Sequence, residues 1–153
     1  MKSVVFCSSQ RFGPELKKFI DDLKKISNNE GHHLVILEPN FSEIEEKFDK
    51  HAHEKDRLRD SHYREVIAGK VYDHLFRKVR VADVCFIFNK DGYLGVNTTG
   101  ELFAAAMAGK LCYSLDGRTL MGHYPHDLYE EPSAHKLIHE VVGTPEDLFR
   151  RLL

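Results

Sequence analysis

No stretch of this 153-residue chain approaches the roughly 18 consecutive apolar residues that a membrane-spanning helix needs, so no membrane partner is expected. Charge of one sign is also missing. The formal net charge is -2, and basic residues are scattered among acidic ones, as in Asp21-Asp22-Leu23-Lys24-Lys25, which gives no electrostatic case for a nucleic-acid polymer. Cysteine is scarce. Cys7, Cys85 and Cys112 are odd in number, lack Cys-x-x-Cys spacing and each lie in a strand-like apolar segment, which argues against a disulfide framework and a zinc site and for free buried thiols in a reducing cytoplasm. The N-terminus runs directly into a strand-like segment, so no signal peptide is expected. There is no Gly-x-x-x-x-Gly-Lys loop, no Gly-x-Gly-x-x-Gly after a strand and no Gly-x-Ser-x-Gly elbow, which removes support for ATPase, dinucleotide and serine-hydrolase readings.

What the chain has is alternation. Residues 2–7, 33–37, 84–88 and 111–115 are short apolar runs that read as strands, and residues 138–142 form a weaker fifth. Between them lie helical patterns. Pro14 precedes Leu16, Phe19, Ile20, Leu23 and Ile26; Ser42 can cap a very polar helix to residue 55; Tyr63, Val66, Ile67, Val71, Leu75 and Val79 stripe a helix over 60–80; Thr144-Pro145 starts a C-terminal helix. Strands alternating with helices predict one domain over 1–153, with a parallel sheet covered on both faces. In such a fold, ligands bind beyond the carboxyl ends of the strands. Three loops leave those ends: residues 8–13, 89–98 and 116–125.

The middle loop is the most informative segment. Strand Phe86-Ile87-Phe88 enters Asn89-Lys90-Asp91-Gly92-Tyr93-Leu94-Gly95-Val96-Asn97-Thr98-Thr99-Gly100-Glu101, where a Gly-containing loop opens a small-residue helix over 99–108. Backbone N–H groups at a helix start favour an anionic or sugar-bearing ligand, and Tyr93, Gly95, Asn97, Thr98 and Thr99 are the candidate contacts. Glu101 has two readings. Thr98-Thr99-Gly100-Glu101 matches a capping box, in which Glu101 only reaches back to the N-cap. Against that, glycine in a first turn costs roughly 1 kcal/mol relative to alanine, a poor choice for a helix start that exists only to be stable.

Ala82-Asp83 before the strand, then the Gly-containing loop, Glu101, the small residues Ala104 to Ala108, and Gly109-Lys110 together resemble the nucleoside 2-deoxyribosyltransferase family and its relatives, the 2'-deoxynucleoside 5'-phosphate N-hydrolases. Phe6-Cys7-Ser8-Ser9 resembles the family's first strand and its sugar- or phosphate-binding loop. The resemblance implies a flavodoxin-like or Rossmann-like three-layer α/β sandwich with a parallel sheet of about five strands. It also implies a retaining displacement in which Glu101 attacks C1' of a nucleoside or nucleotide and expels the base, without a cofactor. A carboxylate suits attack on an oxocarbenium-like centre, and the departing base needs an acid nearby.

Two carboxylates compete for a substrate role: Asp73 on the long helix and Asp91 in the loop, the latter also being part of an Asp-Gly turn signal. Many family members place a tyrosine where this chain has Phe6-Cys7. Cys7 at the end of the first strand is a candidate ligand contact, and Ser8, Ser9, Gln10 and Arg11, which follow it, could hold a 5'-phosphate, as could Asn97, Thr98 and Thr99. Family members complete their sites with a neighbouring subunit, which implies a homodimer or larger homo-oligomer; the segment from Tyr124 to Tyr129 is a candidate donated piece, and His123 or Tyr124 a candidate substrate contact. The ten histidines, including His32-His33, His51-Ala52-His53, His123 and His126, lack ligand spacing, so no metal is expected. A non-catalytic nucleotide sensor on the same fold is the alternative function.

Overall fold

A computed structural model describes residues 1–41, 54–118 and 133–153. In chain order its elements are β1 (Val4–Cys7), α1 (Gly13–Asn29), β2 (Ile36–Leu37), a single turn α2 (Glu54–Arg57), α3 (Ser61–His74), β3 (Val84–Ile87), α4 (Val96–Met107), β4 (Leu111–Ser114), a short α5 (Ala134–Leu137), β5 (Glu140–Val141) and α6 (Pro145–Leu152). The expected polar helix from Ser42 lies outside the described residues apart from Glu54 and Lys55, as does most of the loop that carries His123, Tyr124, His126 and Tyr129.

The five strands form one parallel sheet in the order β2-β1-β3-β4-β5. This is the doubly wound flavodoxin-like arrangement, with its topological switch point between β1 and β3. β1 and β3 are buried along their whole length, which explains why they read as unbroken apolar runs. Their alternation splits the core in two. Val4, Phe6, Val84 and Phe86 face α1 and α6, where Leu16, Phe19, Ile20, Leu23, Leu148 and Leu152 meet them. Val5, Cys7, Cys85 and Ile87 face the other layer, where Val79, Leu94, Leu102, Ala105 and Ala134 close the core. These helices above and below the sheet are the expected three layers.

Local chemistry sets the element ends. Asp60 caps α3 by accepting from the Tyr63 N–H at 3.0 Å, and Thr144 caps α6 by accepting from the Asp147 N–H at 3.1 Å, with Pro145 in the first position. Asp83 ties the N-terminal ends of β1 and β3 together. Its carboxylate accepts from the Ser3 N–H at 2.8 Å and the Ser3 hydroxyl at 2.9 Å, while its own N–H donates to Ser3 Oγ at 3.0 Å. The Ala82-Asp83 pair is thus a latch at the end of the sheet opposite the ligand loops.

The long helix is not regular to its end. After α3 a π-turn runs from Leu75 to Val79, with the Arg80 N–H donating to the Leu75 carbonyl five residues back at 2.9 Å. Such insertions add one residue to a turn and re-aim the side chains around it.

Candidate active site

Beyond the carboxyl ends of β1 and β3 lies a cavity of about 450 Å³. The loop after β1 supplies Ser8, Ser9 and Gln10; the loop after β3 and the start of α4 supply Tyr93, Gly95, Asn97, Thr98 and Glu101. The inner face of α3 contributes Tyr63, Ile67, Lys70, Val71 and His74, which recur at helical spacing. Among the described lining residues Glu101 is the one carboxylate, while Lys55, Arg57 and Lys70 supply positive charge.

Glu101 does not cap a helix. α4 begins at Val96 with Gly95 as its N-cap, three residues earlier than the capping-box reading needs, so Glu101 sits in the second turn. Gly95 is held close by the loop itself, since a Cβ there would meet the Tyr93 ring at 3.4 Å. Arg11 stacks over that ring at 3.9 Å, and Phe12 meets its edge. The Glu101 side chain turns instead toward the sheet and the end of α3. It is buried, and one carboxylate oxygen lies 3.6 Å from His74 Nε2. The same nitrogen is 3.4 Å from Cys7 Sγ. Cys7 Sγ in turn lies 3.6 Å from Cys85 Sγ in the core behind.

Burial governs the charge of this cluster. Loss of solvent pushes the Glu101 carboxyl up to about 7, with a thiol hydrogen bond from Cys7 working the other way. His74 is pushed down to about 4, first by burial and then by the nearby Lys78 charge, with Asp73 and the Phe6 backbone opposing. The Cys7 thiol is pushed up to about 12, mainly by burial. At neutral pH the imidazole and the thiol are therefore uncharged, and the close approach of His74 and Glu101 is not a pair of opposite charges. Cys7 is accordingly a buried neutral thiol behind the carboxylate, not a lining group of the cavity.

The remaining expected residues divide clearly. Ser8 and Ser9 reach the cavity, but their hydroxyls also have internal partners: Ser8 Oγ donates to the Ser9 and Phe88 carbonyls, and Ser9 Oγ accepts from the Arg11 N–H. Gln10 lines the cavity, is buried, and its Oε1 has no hydrogen-bond partner among the described residues. Thr99 turns away, donating its hydroxyl to the Gly95 carbonyl at 2.9 Å. Tyr124 lies outside the described residues.

Neither aspartate joins Glu101. Asp73 is partly exposed, pairs with Arg77 at 3.3 Å and lines a neighbouring groove of about 440 Å³ with Glu65 and Lys78. Asp91 is exposed and left-handed (φ 57°), followed by a left-handed Gly92, so the Asp-Gly turn reading stands. Its carboxylate is held by Arg118 at 2.9 Å and Lys90 at 3.1 Å, which hold its pKa below the usual carboxylate range. The residue facing Glu101 is His74, which the histidine spacings did not single out. The signal was present in the stripe Ile67-Val71-His74, which carries the imidazole onto the apolar face of α3.

A second clamp steadies the loops. The buried Asn89 side chain donates to the Asp116 carbonyl at 2.8 Å and accepts from the Asp116 N–H at 2.9 Å, locking the exits of β3 and β4 together.

No family model matches the chain, and no curated protein matches it. Among solved structures it is similar to the crystal structure of a conserved protein from Enterococcus faecalis V583, at 14% identity and a TM-score of 0.53, over 99% of this chain and 97% of that one. At that identity the likeness shows the fold alone, and it agrees with the three-layer α/β architecture.

Proposed function

We propose that the chain breaks the N-glycosidic bond of a (deoxy)nucleoside or nucleoside 5'-monophosphate, with Glu101 as nucleophile. The observation that carries this reading is the placement of Glu101: a buried carboxylate aimed into a cavity at the switch point, relieved of any capping role. In the ionised form it attacks C1', forming a glycosyl ester as the C1'–N bond breaks and the electron pair leaves with the base. Water or an acceptor base then attacks the same carbon and frees the carboxylate. Desolvation makes the ionised Glu101 a stronger nucleophile, although only part of the population is ionised at pH 7. His74 walls the carboxylate on one side, and Tyr63, Ile67 and Val71 give an apolar wall suited to a base or sugar face. Lys55, Arg57 and Lys70 with the Ser8-Ser9 loop favour a substrate that carries a phosphate.

Self-association is part of the proposal. Val96, Phe103 and Met107 follow one exposed face of α4, with Met107 88% exposed, and Gly100 leaves that face open to close approach. A protein that stays monomeric at micromolar concentration by light scattering contradicts this part. Three buried free thiols are compatible with a reducing cytoplasm as the working compartment. Among the described residues no helix is long and apolar enough to cross a membrane.

The test is chromatographic detection of free base after incubation with a panel of deoxynucleosides and their 5'-monophosphates, with and without an acceptor base. Wild type releases base and Glu101→Ala does not, a loss of about 10³-fold or more. Saturable nucleotide binding by wild type without base release supports the sensor reading instead.

A further inference from the structure

Three side chains of different ligand chemistry meet where the cavity ends against the sheet: an imidazole from the end of α3 and a carboxylate from α4, which line it, and behind them a thiol from the end of β1. Cys7 Sγ, His74 Nε2 and a Glu101 oxygen all lie within 4.8 Å of one another, and all three residues are buried. Two of the distances are 3.4 Å, sulfur to nitrogen, and 3.6 Å, nitrogen to oxygen. Zinc binds sulfur at about 2.3 Å and nitrogen or oxygen at about 2.0 Å, so tetrahedral ligands around one ion stand about 3.3–3.6 Å apart. The observed spacings fall on those edges.

Within the chain these atoms already contact one another. One imidazole nitrogen faces both the thiol and the carboxylate, and the thiol in turn hydrogen-bonds the carboxylate, so all three ligand atoms point at one place. An ion at this point bonds to all three at once.

We propose that Cys7, His74 and Glu101 form a three-ligand site for a thiophilic divalent cation, zinc above all, which masks Glu101 reversibly. Binding forms metal–sulfur, metal–nitrogen and metal–oxygen bonds and releases the thiol proton to solvent, with no change of oxidation state. His74 and Glu101 line the cavity, so the fourth coordination position opens onto it and is taken by water or by a ligand in the cavity. The mixed sulfur, nitrogen and oxygen set favours zinc over magnesium or calcium, which prefer all-oxygen ligands. Among the described residues His74 Nδ1 has no hydrogen-bond partner, so the outer support that tightens permanent zinc sites is weak there. The site therefore suits an ion that comes and goes. The masking rests on Glu101 being the nucleophile proposed above; the binding does not.

The test is a Co2+ titration of the full chain, read by visible d–d bands and the near-ultraviolet thiolate-to-metal band, followed by Zn2+ displacement. Wild type and Cys112→Ser saturate at about one Co2+ per chain with a thiolate band, and Zn2+ abolishes it. Cys7→Ser loses the thiolate band, and His74→Gln and Glu101→Gln weaken binding by about tenfold or more, with folding of each variant checked by circular dichroism. No thiolate band in wild type, or a band that survives Cys7→Ser, overturns the proposal. Base release measured in the same samples separates the two ideas. Zn2+ lowers it about tenfold or more in wild type, a chelator restores it, and the ratio with and without Zn2+ moves toward one in Cys7→Ser. Base release with no Co2+ band overturns the metal site alone. A Co2+ band with no base release under chelator overturns the glycosidic reading and leaves the metal site standing.

Discussion

On the face of the sheet covered by α1 and α6, Phe6, Phe19, Phe86 and Phe88 meet ring to ring at 5.2–6.0 Å. On the opposite face the same two strands present Val5, Cys7, Cys85 and Ile87 to small residues, among them Ala82 just before β3 and Ala105 and Ala134 of the helices. Into that layer α3 and α4 bring His74 and Glu101, both buried. Large aromatic rings fill space with dispersion and exclude water. Small residues leave helices close enough to the sheet for side chains of different elements to converge at one point. A sheet of alternating side chains can thus give one face to stability and the other to chemistry. The cost of the second is visible in the carboxyl that burial holds near 7.

The comparison breaks most severely at its aromatic side. Phe86→Ala removes a fully buried ring in contact with Phe6 and Phe19 and is expected to cost about 3–5 kcal/mol of stability by urea unfolding, without touching the cavity. A cost below about 1 kcal/mol shows that this face does not carry the fold.

The chemical side responds in the opposite sense. Glu101 holds its proton more tightly folded, at about 7, than the ordinary value of 4.5. Its burial therefore costs nothing below pH 4.5, costs progressively more as pH rises, and reaches its full penalty above 7. Glu101→Gln does not titrate. With chelator present, its stability relative to wild type is expected to rise by roughly 3 kcal/mol between pH 4.5 and 8. Parallel pH profiles for the two proteins contradict a buried, desolvated carboxyl.

The smallest effect lies at the far end of the sheet. Asp83→Ala removes the two Ser3 hydrogen bonds and is expected to cost about 1 kcal/mol or less, because the latch is exposed and screened by solvent. These bonds hold the Asp83 carboxyl below its usual value of 3.8, so the contribution is present above that pH and is lost as pH falls through the lower folded value. Base release is expected to stay within about twofold of wild type at neutral pH, since a residue this far from the cavity couples weakly to it.

Much of the layout was legible in the sequence because it rests on local rules. The apolar runs at residues 4–7 and 84–87 are strands, the Leu16-Phe19-Ile20-Leu23 spacing is the buried face of α1, and Thr144-Pro145 starts α6 where its capping chemistry says. The loops after β1 and β3 converge on one cavity because doubly wound topology puts them there. The errors share a cause. A capping box at Thr98 is locally sound, but the helix starts at Val96, where Gly95 lies against the Tyr93 ring. Asp73 and His74 are neighbours on a helix, about 100° apart around its axis. Which of them faces Glu101 depends on the packing of α3 and the π-turn that follows it, and periodicity reports neither. The His74 approach to Cys7 and Glu101 joins residues 67 and 27 positions apart in the chain, a distance at which local spacing carries no information.

The most direct measurement is mass spectrometry of the acid-quenched protein after brief incubation with the deoxynucleotide that releases base fastest, with peptide mapping of any adduct. The account predicts a sugar-phosphate adduct on the peptide that contains Glu101, absent from Glu101→Ala and chased away by added acceptor base. Rapid base release with no adduct at any quench time, or an adduct on a different residue, contradicts Glu101 as the nucleophile.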